Sequence, residues 1–346
     1  TELVKTGSME LQYAENFAVD YYEDGYKMLT TLPDSKRYLI VPEGQPVPRG
    51  LDEDVSILQE PLQNIYLVAS GVMDMFASVD AVDQIRFSGQ KQENWYIQTA
   101  KDAMAAGDMI YAGKYSKPDY ELLVSEGCDL AIENRMITHS PEVVEMLQSF
   151  DIPVMIEYSS YEQHPLGKVE WVKFFGALTG KEAEAEEAFA EQTEILEKVE
   201  SGEKTGKTIA FFYVTSNGLI QVRQSTDYIP KLIELAGGRY IFEDLEDSGS
   251  GRSTLNMQVE DFYAGARDAD ILIYNSSIDG GVTTLDELIG KCNILKDFKA
   301  VQEGQVYCTT NDMYQQSMAI GYLLQDMHTV LTDDDTAKLR YLFLLQ

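Results

Sequence analysis

Residues 120–156 have the sequence YELLVSEGCDLAIENRMITHSPEVVEMLQSFDIPVMI, and this stretch decides the fold class. The apolar runs 130–132 and 153–156 have the length of buried strands, whereas 120–125 and 141–150 have helical spacing. Strands that alternate with helices in this way are typical of a parallel sheet covered by helices on both faces. We therefore predict an α/β protein.

The same alternation begins before this stretch and starts again after a long interruption. Strands are predicted at 65–69 and 85–87, and then at 208–214, 271–274 and 306–308. Between the two sets, residues 168–199 keep one apolar helical face, with Gly180 as a point where the helix can bend. The predicted organisation has four parts: an N-terminal β-ribbon extension packed on the first lobe (1–60), an N-terminal α/β lobe (61–167), one long linker helix (168–200) and a C-terminal α/β lobe with terminal helices (201–346).

The charge of the chain excludes several classes of partner. Acidic residues outnumber basic ones so strongly that the formal net charge is −31. Such a field repels phosphate backbones and anionic lipid heads, so we expect no nucleic-acid partner. We also expect a monomer. Residues 1–5 lack the apolar core of a signal peptide, which is compatible with a cytosolic protein or with a targeting segment already removed.

The sequence contains no complete catalytic or nucleotide-binding motif. Ser201-Gly-Glu-Lys-Thr-Gly-Lys-Thr208 is close to a phosphate-binding P-loop, but it lacks the first glycine and precedes a predicted strand instead of a helix. The three histidines and three cysteines are scattered, with no metal-ligand spacing. We therefore favour a binding protein without a resident cofactor over an enzyme.

Several landmarks resemble one protein family. Residues 113–123 (GKYSKPDYELL) and 128–132 (CDLAI) resemble the G-x-x-x-x-P-N-x-E turn and P-D-L-V-I strand of ABC-importer solute-binding proteins for iron–siderophore, haem and cobalamin. Residues 170–182, 235–238 and 257–273 resemble later landmarks of that family, in the family's order. Asp119 and Gln258 depart from the usual Asn and Ser. The first 60 residues match nothing in the pattern.

This resemblance implies a class III solute-binding protein: two lobes with mostly parallel sheets flanked by helices and joined by one long helix. A metal chelate would bind between the lobes, and the protein would deliver it to the transmembrane subunits of an ABC permease without catalysis. The location would be extracytoplasmic, either lipid-anchored or periplasmic. In the family, one glutamate on each lobe docks permease arginines, and Glu121 and Glu260 are the matching residues.

Ligand contacts are expected from the loops that follow strands, since open α/β sheets bind ligands beyond the carboxyl ends of their strands. Arginines beside aromatic rings suit an anionic, partly flat ligand. The predicted ligand-binding residues are Arg86, Tyr115, Arg135, Tyr158, Arg223, Tyr274 and Tyr314. Further candidates in the same loops are Met136, Glu157, His164, Asn217, Asn275 and Asn311.

Two alternatives remain at this point. One is a receptor for a bare divalent metal ion, which would require a convergent set of His, Asp and Glu side chains. The other is a cytosolic enzyme on a related two-lobe scaffold, because a fold does not determine a function.

Overall fold

The computed structural model describes residues 2–246 and 253–346. The chain divides into two compact units. Unit 1 comprises Thr1–Glu162, Leu166–Ala190 and Gln315–Met318, and unit 2 comprises Gln163–Pro165, Glu191–Tyr314 and Ala319–Gln346. Each unit contains a sheet with parallel central strands and flanking helices, so the predicted fold class is confirmed.

The N-terminal extension is a sheet with its own core. Within the described residues it has five strands in chain order: β1 (Lys5–Ser8), β2 (Phe17–Tyr22), β3 (Lys27–Thr31), β4 (Lys36–Val41) and β5 (Val55–Gln59). Neighbouring strands are antiparallel, except that β4 and β5 are parallel. One face is closed by the buried side chains of Tyr26, Met28, Leu39 and Val41. The predicted β-ribbon is therefore a larger and more cohesive element than its sequence indicated.

The second sheet of unit 1 is parallel throughout, in the order β12-β11-β6-β7-β8. Its strands and the hairpin β9–β10 are β6 (Ile65–Leu67), β7 (Ile85–Ser88), β8 (Ile110–Tyr111), β9 (Gly113–Lys114), β10 (Lys117–Pro118), β11 (Leu130–Glu133) and β12 (Val154–Ile156). Its helices are α1 (Met73–Ser78), α2 (Gln98–Ala106), α3 (Tyr120–Ser125) and α4 (Pro141–Ser149). Because the strands are parallel, their carboxyl ends share one edge, and the loops that leave this edge can form a site.

Two helices occupy the region where the sequence predicts one mostly continuous helix. They are α5 (Pro165–Thr179) and α6 (Glu182–Glu200). Between them Gly180 has a φ of +73°, a left-handed conformation that glycine adopts without strain. The Lys181 N–H donates to the Gly176 carbonyl at 2.7 Å, which ends α5 with a Schellman-type turn. The bend expected at Gly180 is therefore a complete break in the helix.

The N-terminal sheet packs on α5. The Phe17 ring lies 4.9 Å from the Trp171 ring and 5.4 Å from the Phe174 ring, centroid to centroid, and all three side chains are buried. Glu170, fully buried on α5, accepts backbone hydrogen bonds from residues 12–14 at 2.8–3.1 Å and pairs with Lys173 at 3.1 Å. A buried carboxylate is stable only with such partners, so the extension and α5 form one folded body.

The sheet of unit 2 has parallel strands at its centre and antiparallel strands at its edges. Its order among the described residues is β16-β14-β13-β17-β18-β19, with β15 also paired to β13. The strands are β13 (Thr208–Val214), β14 (Ile220–Arg223), β15 (Arg239–Tyr240), β16 (Thr254–Met257), β17 (Ile271–Tyr274), β18 (Val306–Thr309) and β19 (Leu342–Leu344). The helices are α7 (Tyr228–Leu235), α8 (Val259–Ala266), α9 (Leu285–Lys291), α10 (Lys299–Gln302) and α11 (Ile320–Thr332).

The central parallel strands β13, β17 and β18 of unit 2 were predicted, whereas the antiparallel strands β14, β16 and β19 were not. These three strands have only three or four residues and are partly exposed, so they lack the long apolar run that marks a buried strand. The segment 201–208 leads directly into β13, which agrees with the exclusion of a P-loop, because a phosphate-binding loop must open a helix.

Candidate functional site

The loops after β11 and β12 bring an arginine and two tyrosines together in unit 1. The guanidinium carbon of Arg135 lies 4.3 Å from the centroid of the Tyr161 ring. Tyr161 packs edge-on against Tyr158, with the ring centroids 5.1 Å apart. Tyr161 is 41% exposed, whereas Tyr158 is 6% exposed. We call Arg135, Tyr158 and Tyr161 the unit 1 group: an accessible cation–aromatic pair supported by a buried ring.

Two carboxylates border this group. The Tyr158 hydroxyl donates to Asp34 Oδ2 at 3.2 Å. Burial, together with the Asp34 carboxylate, raises the pKa of Tyr158 above its ordinary value. Glu157, a candidate from the sequence, is buried and accepts the Ser159 N–H at 2.9 Å. Glu157 therefore holds its own loop, and its carboxylate is engaged by the backbone.

A second group in unit 2 is built around a buried arginine. Arg223 Nη2 donates to the Tyr314 hydroxyl at 2.9 Å, and Nη1 lies 3.4 Å from Asp227 Oδ2. The Arg223 side chain is 12% exposed and that of Asp227 is 7% exposed. Burial opposes the charged form, but Tyr314 and Asp227 still hold the pKa of Arg223 above its ordinary value. We call Arg223, Asp227 and Tyr314 the unit 2 group.

Two of the predicted ligand contacts belong to the framework instead. Tyr274 is fully buried, packs 5.5 Å from the Phe212 ring and donates its hydroxyl to Asp279 at 2.7 Å. A tyrosine at the end of β17 is enclosed because helices cover both faces of a parallel sheet. The structure therefore assigns Tyr274 to the core of unit 2, and we exclude it from the site.

Arg86 lies at the amino end of β7, away from the edge where the carboxyl ends of the strands meet. Its guanidinium donates to Glu126 at 2.9 Å and to the carbonyls of Gly107 and Asp108 at 2.8 and 2.9 Å. These acceptors come directly after α2 and α3, so Arg86 provides hydrogen bonds to the segments that connect those two helices to the sheet. We exclude Arg86 from the site for this reason.

The remaining candidates have mixed surroundings. Tyr115 is half-buried in the turn of the β9–β10 hairpin and packs against the core of unit 1, while Met136 is 47% exposed next to Arg135. His164 is half-buried, and burial lowers its pKa. The three asparagines follow strands of unit 2: Asn217 accepts the Thr215 hydroxyl at 2.5 Å, Asn275 is buried and accepts the Ser277 N–H at 3.0 Å, and Asn311 is exposed.

A buried acid that was not selected from the sequence lies two positions before Arg135. Glu133 is the last residue of β11 and is fully buried. Neither of its carboxyl oxygens accepts a hydrogen bond from a described residue. Burial raises the pKa of Glu133 to about 8, so the side chain is largely neutral at neutral pH. The only signal in the sequence is an acidic residue that ends an apolar strand.

Glu121 and Glu260 occupy equivalent positions in the two units. Each is the second residue of its helix, α3 or α8, and each is exposed. Within the described parts of the chain, neither carboxylate forms an ion pair or a side-chain hydrogen bond. Asp119 provides the N-cap of α3 by accepting the Leu122 N–H, so Glu121 is not needed for that role.

Among residues 2–246 and 253–346, no group of three or more His, Cys, Asp or Glu side chains could hold a metal ion. Over the same residues, no helix has the length and apolar character that crossing a membrane requires.

Comparisons with known proteins agree with the fold. The chain is 24% identical to an uncharacterised lipoprotein of Methanocaldococcus jannaschii, over 93% of this chain and 81% of the relative. A protein of an ABC-type Fe³⁺-hydroxamate transport system from Saccharomonospora viridis superposes with a TM-score of 0.60, at 15% identity, over 78% of this chain and 93% of that one. A periplasmic haem-binding protein of Vibrio cholerae superposes with a TM-score of 0.59, at 15% identity, over 75% and 98%.

The structural likeness by itself shows the fold. The family is shown by a direct sequence match: residues 68–313 fit the model of the periplasmic binding protein family. This match spans both units and contains all of the motifs on which the resemblance rested, so the resemblance is confirmed. The chain belongs to the periplasmic binding protein family.

Proposed function

We propose that this protein is the extracytoplasmic solute-binding subunit of an ABC importer, and that it captures a metal chelate such as a ferric siderophore, haem or cobalamin. Its family supports binding as opposed to catalysis. The two solved structures named above come from Fe³⁺-hydroxamate transport and from haem binding, which supports a chelate as ligand. The lipoprotein relative supports a location on the outer face of the membrane or in the periplasm.

The observation that carries this proposal is an arginine–tyrosine group in each unit. In a chain of net charge −31, an anionic ligand must meet local positive charge. Arg135 and Arg223 supply it, each beside an aromatic ring. A guanidinium pairs with carboxylate or hydroxamate oxygens, and tyrosine rings stack on flat ligands. This combination fits an anionic chelate better than a bare cation, which would be repelled by both arginines.

The test of capture is a binding panel. Titration calorimetry would compare a ferric tris-hydroxamate, haem and cyanocobalamin with Fe³⁺, Mn²⁺ and Zn²⁺ salts alone. We expect one chelate to bind with a Kd of about 1 μM or tighter and the free ions not to bind. Tight binding of a free divalent ion would support the bare-metal alternative. No binding of any chelate at about 1 mM would contradict the proposal.

We also propose that Glu121 and Glu260 dock permease arginines. Both are exposed, so replacing both with alanine should change stability by only about 0–1 kcal/mol and leave ligand affinity intact. Uptake into vesicles that contain the cognate permease should nevertheless fall steeply, and replacement by lysine should be worse because it opposes like charges.

A matched control for this docking test is available in the same chain. Glu142 and Asp286 are exposed and are the second residues of α4 and α9, one in each unit. Replacing this pair with alanine removes the same charge from the same helical position and should leave uptake unchanged. Normal uptake by the Glu121→Ala, Glu260→Ala protein would show that these two glutamates do not dock.

A further inference from the structure

The turn between β3 and β4 in the N-terminal sheet reaches the unit 1 group. Asp34 lies in this turn, and its two carboxyl oxygens have separate partners. Oδ1 accepts the Thr31 hydroxyl at 2.6 Å and the Lys36 N–H at 3.1 Å, which builds the turn. Oδ2 accepts the Tyr158 hydroxyl at 3.2 Å. One oxygen therefore shapes the turn, and the other holds the loop that follows β12.

The opposite end of that loop is held from the same part of the chain. The Glu162 carboxylate accepts the backbone N–H groups of Glu15 and Asn16 at 3.0 and 2.9 Å, and the Trp171 indole N–H at 3.0 Å. Glu162 is 4% exposed, so it depends on these donors. Residues 157–162 are thus fixed at both ends by groups that belong to the N-terminal extension.

We propose that Asp34 is a positioning residue for the ligand-binding face of unit 1. It fixes Tyr158, whose ring supports Tyr161, and Tyr161 in turn carries the Arg135 guanidinium. This inference rests on the proposed function, because it assigns Asp34 to the same chelate-binding site. Asp34 lies outside residues 68–313, which match the family, so the extension adds to the site a residue that the matched family segment does not contain.

The test uses two substitutions that each remove the hydrogen bond between Tyr158 and Asp34, one by changing the acceptor and the other by removing the donor. Asp34→Asn keeps Oδ1 for the turn and places an amide where Tyr158 needs an acceptor. Tyr158→Phe keeps the ring against Tyr161 and removes the donor. In the ligand-free protein, amide hydrogen exchange of residues 157–163 should become roughly tenfold faster in both variants. Exchange of Thr208–Val214 in unit 2 should stay unchanged, which separates local loosening from global destabilisation.

The second readout is affinity for the chelate that binds in the panel described above, with haem tested first because its two propionates make it anionic. Each variant should bind it roughly tenfold more weakly, and the double variant should be no weaker than either single one, because both changes remove the same interaction. Asp24→Asn is the matched control. Asp24 is an exposed aspartate in the neighbouring β2–β3 turn with a φ of 57°, a conformation that asparagine tolerates.

Each outcome decides the proposal. Unchanged exchange of residues 157–163 in Asp34→Asn would overturn it, and so would faster exchange with unchanged affinity for the chelate. An Asp24→Asn effect as large as that of Asp34→Asn would also overturn it, since general charge loss would then be the cause. If the wild-type protein binds no chelate, the proposed function fails on that measurement, while the exchange data still confirm or overturn the positioning of the loop.

Discussion

The two arginine–tyrosine groups use the same chemistry with different support. Arg223 is 12% exposed in its side chain and is held by the Tyr314 hydroxyl and the Asp227 carboxylate. Arg135 is exposed and lies on the Tyr161 ring, and within the described residues no carboxylate approaches it to 4 Å. The unit 2 cation is therefore fixed and paired with a carboxylate, whereas the unit 1 cation is accessible.

This difference indicates how much each residue contributes to folding as well as to binding. A buried arginine that pairs with a buried aspartate is part of the framework, so its loss leaves an uncompensated charge. An exposed arginine on a ring contributes little to folding and is available to a ligand. The three predictions that follow test this contrast, in order of decreasing effect.

Arg223→Ala should have the largest effect. It leaves Asp227 buried without its cation, so the free energy of unfolding should fall by about 3 kcal/mol. Affinity for an anionic chelate should fall at least about 30-fold, which corresponds to about 2 kcal/mol. Urea denaturation and titration calorimetry on the same preparation would measure both quantities.

The control for this prediction is Arg267→Ala. Arg267 also lies over a tyrosine, 5.3 Å from the Tyr263 ring centroid, and 3.7 Å from an Asp268 oxygen, but the Arg267 and Asp268 side chains are 51% and 86% exposed. Stability should change by less than about 0.5 kcal/mol. An equal loss of stability in both variants would remove the contrast between buried and exposed groups.

The second prediction concerns Glu133, which ends the strand that leads to Arg135. Its pKa of about 8 exceeds the ordinary value of 4.5, so between these pH values the folded protein binds more protons than the unfolded chain. Stability from this group is therefore present below pH 4.5 and is lost as the pH rises towards 8. Glu133→Gln should abolish a fall in unfolding free energy on the order of 3 kcal/mol between pH 5 and pH 8.

Urea denaturation of the wild-type protein and of Glu133→Gln at a series of pH values would check this. Because all other titrating groups are shared, the difference between the two curves isolates Glu133. Parallel curves from pH 5 to pH 8 would show that the pKa of Glu133 is not raised in the folded protein, and would contradict the prediction.

The third prediction has the smallest effect. Arg135→Ala should change the free energy of unfolding by less than about 0.5 kcal/mol, because the side chain is exposed. Affinity for an anionic chelate should nevertheless fall roughly tenfold, and the loss should shrink at high salt because exposed charges are screened. Calorimetry at two ionic strengths would measure it. A stability loss above about 1.5 kcal/mol would place Arg135 in the framework with Arg223.

Two of the three residues in each group were predicted from the sequence, namely Arg135 and Tyr158 in unit 1 and Arg223 and Tyr314 in unit 2, whereas Tyr161 and Asp227 were not. Arg135 and Arg223 were chosen because they follow predicted strands, and both lie in groups that the structure confirms as contiguous. Asp34 could not be chosen, because it lies 124 positions from Tyr158 and its turn carries no signal for that contact. Tyr274 was chosen by the same rule as Arg223 and is buried, because position after a strand does not specify the direction of a side chain.

The sequence by itself determined the fold class, the family and the central strands of both sheets. These depend on short-range patterns, namely apolar runs, helical periodicity and ordered motifs, which act over a few residues and survive in any context. The tertiary structure alone decided that the predicted long helix breaks at Gly180, that the extension holds the loop of Tyr158, and that Glu133 is buried with no hydrogen-bond partner among residues 2–246 and 253–346. Each of these depends on desolvation or on contacts between distant segments, whose energies are set only once the chain has packed.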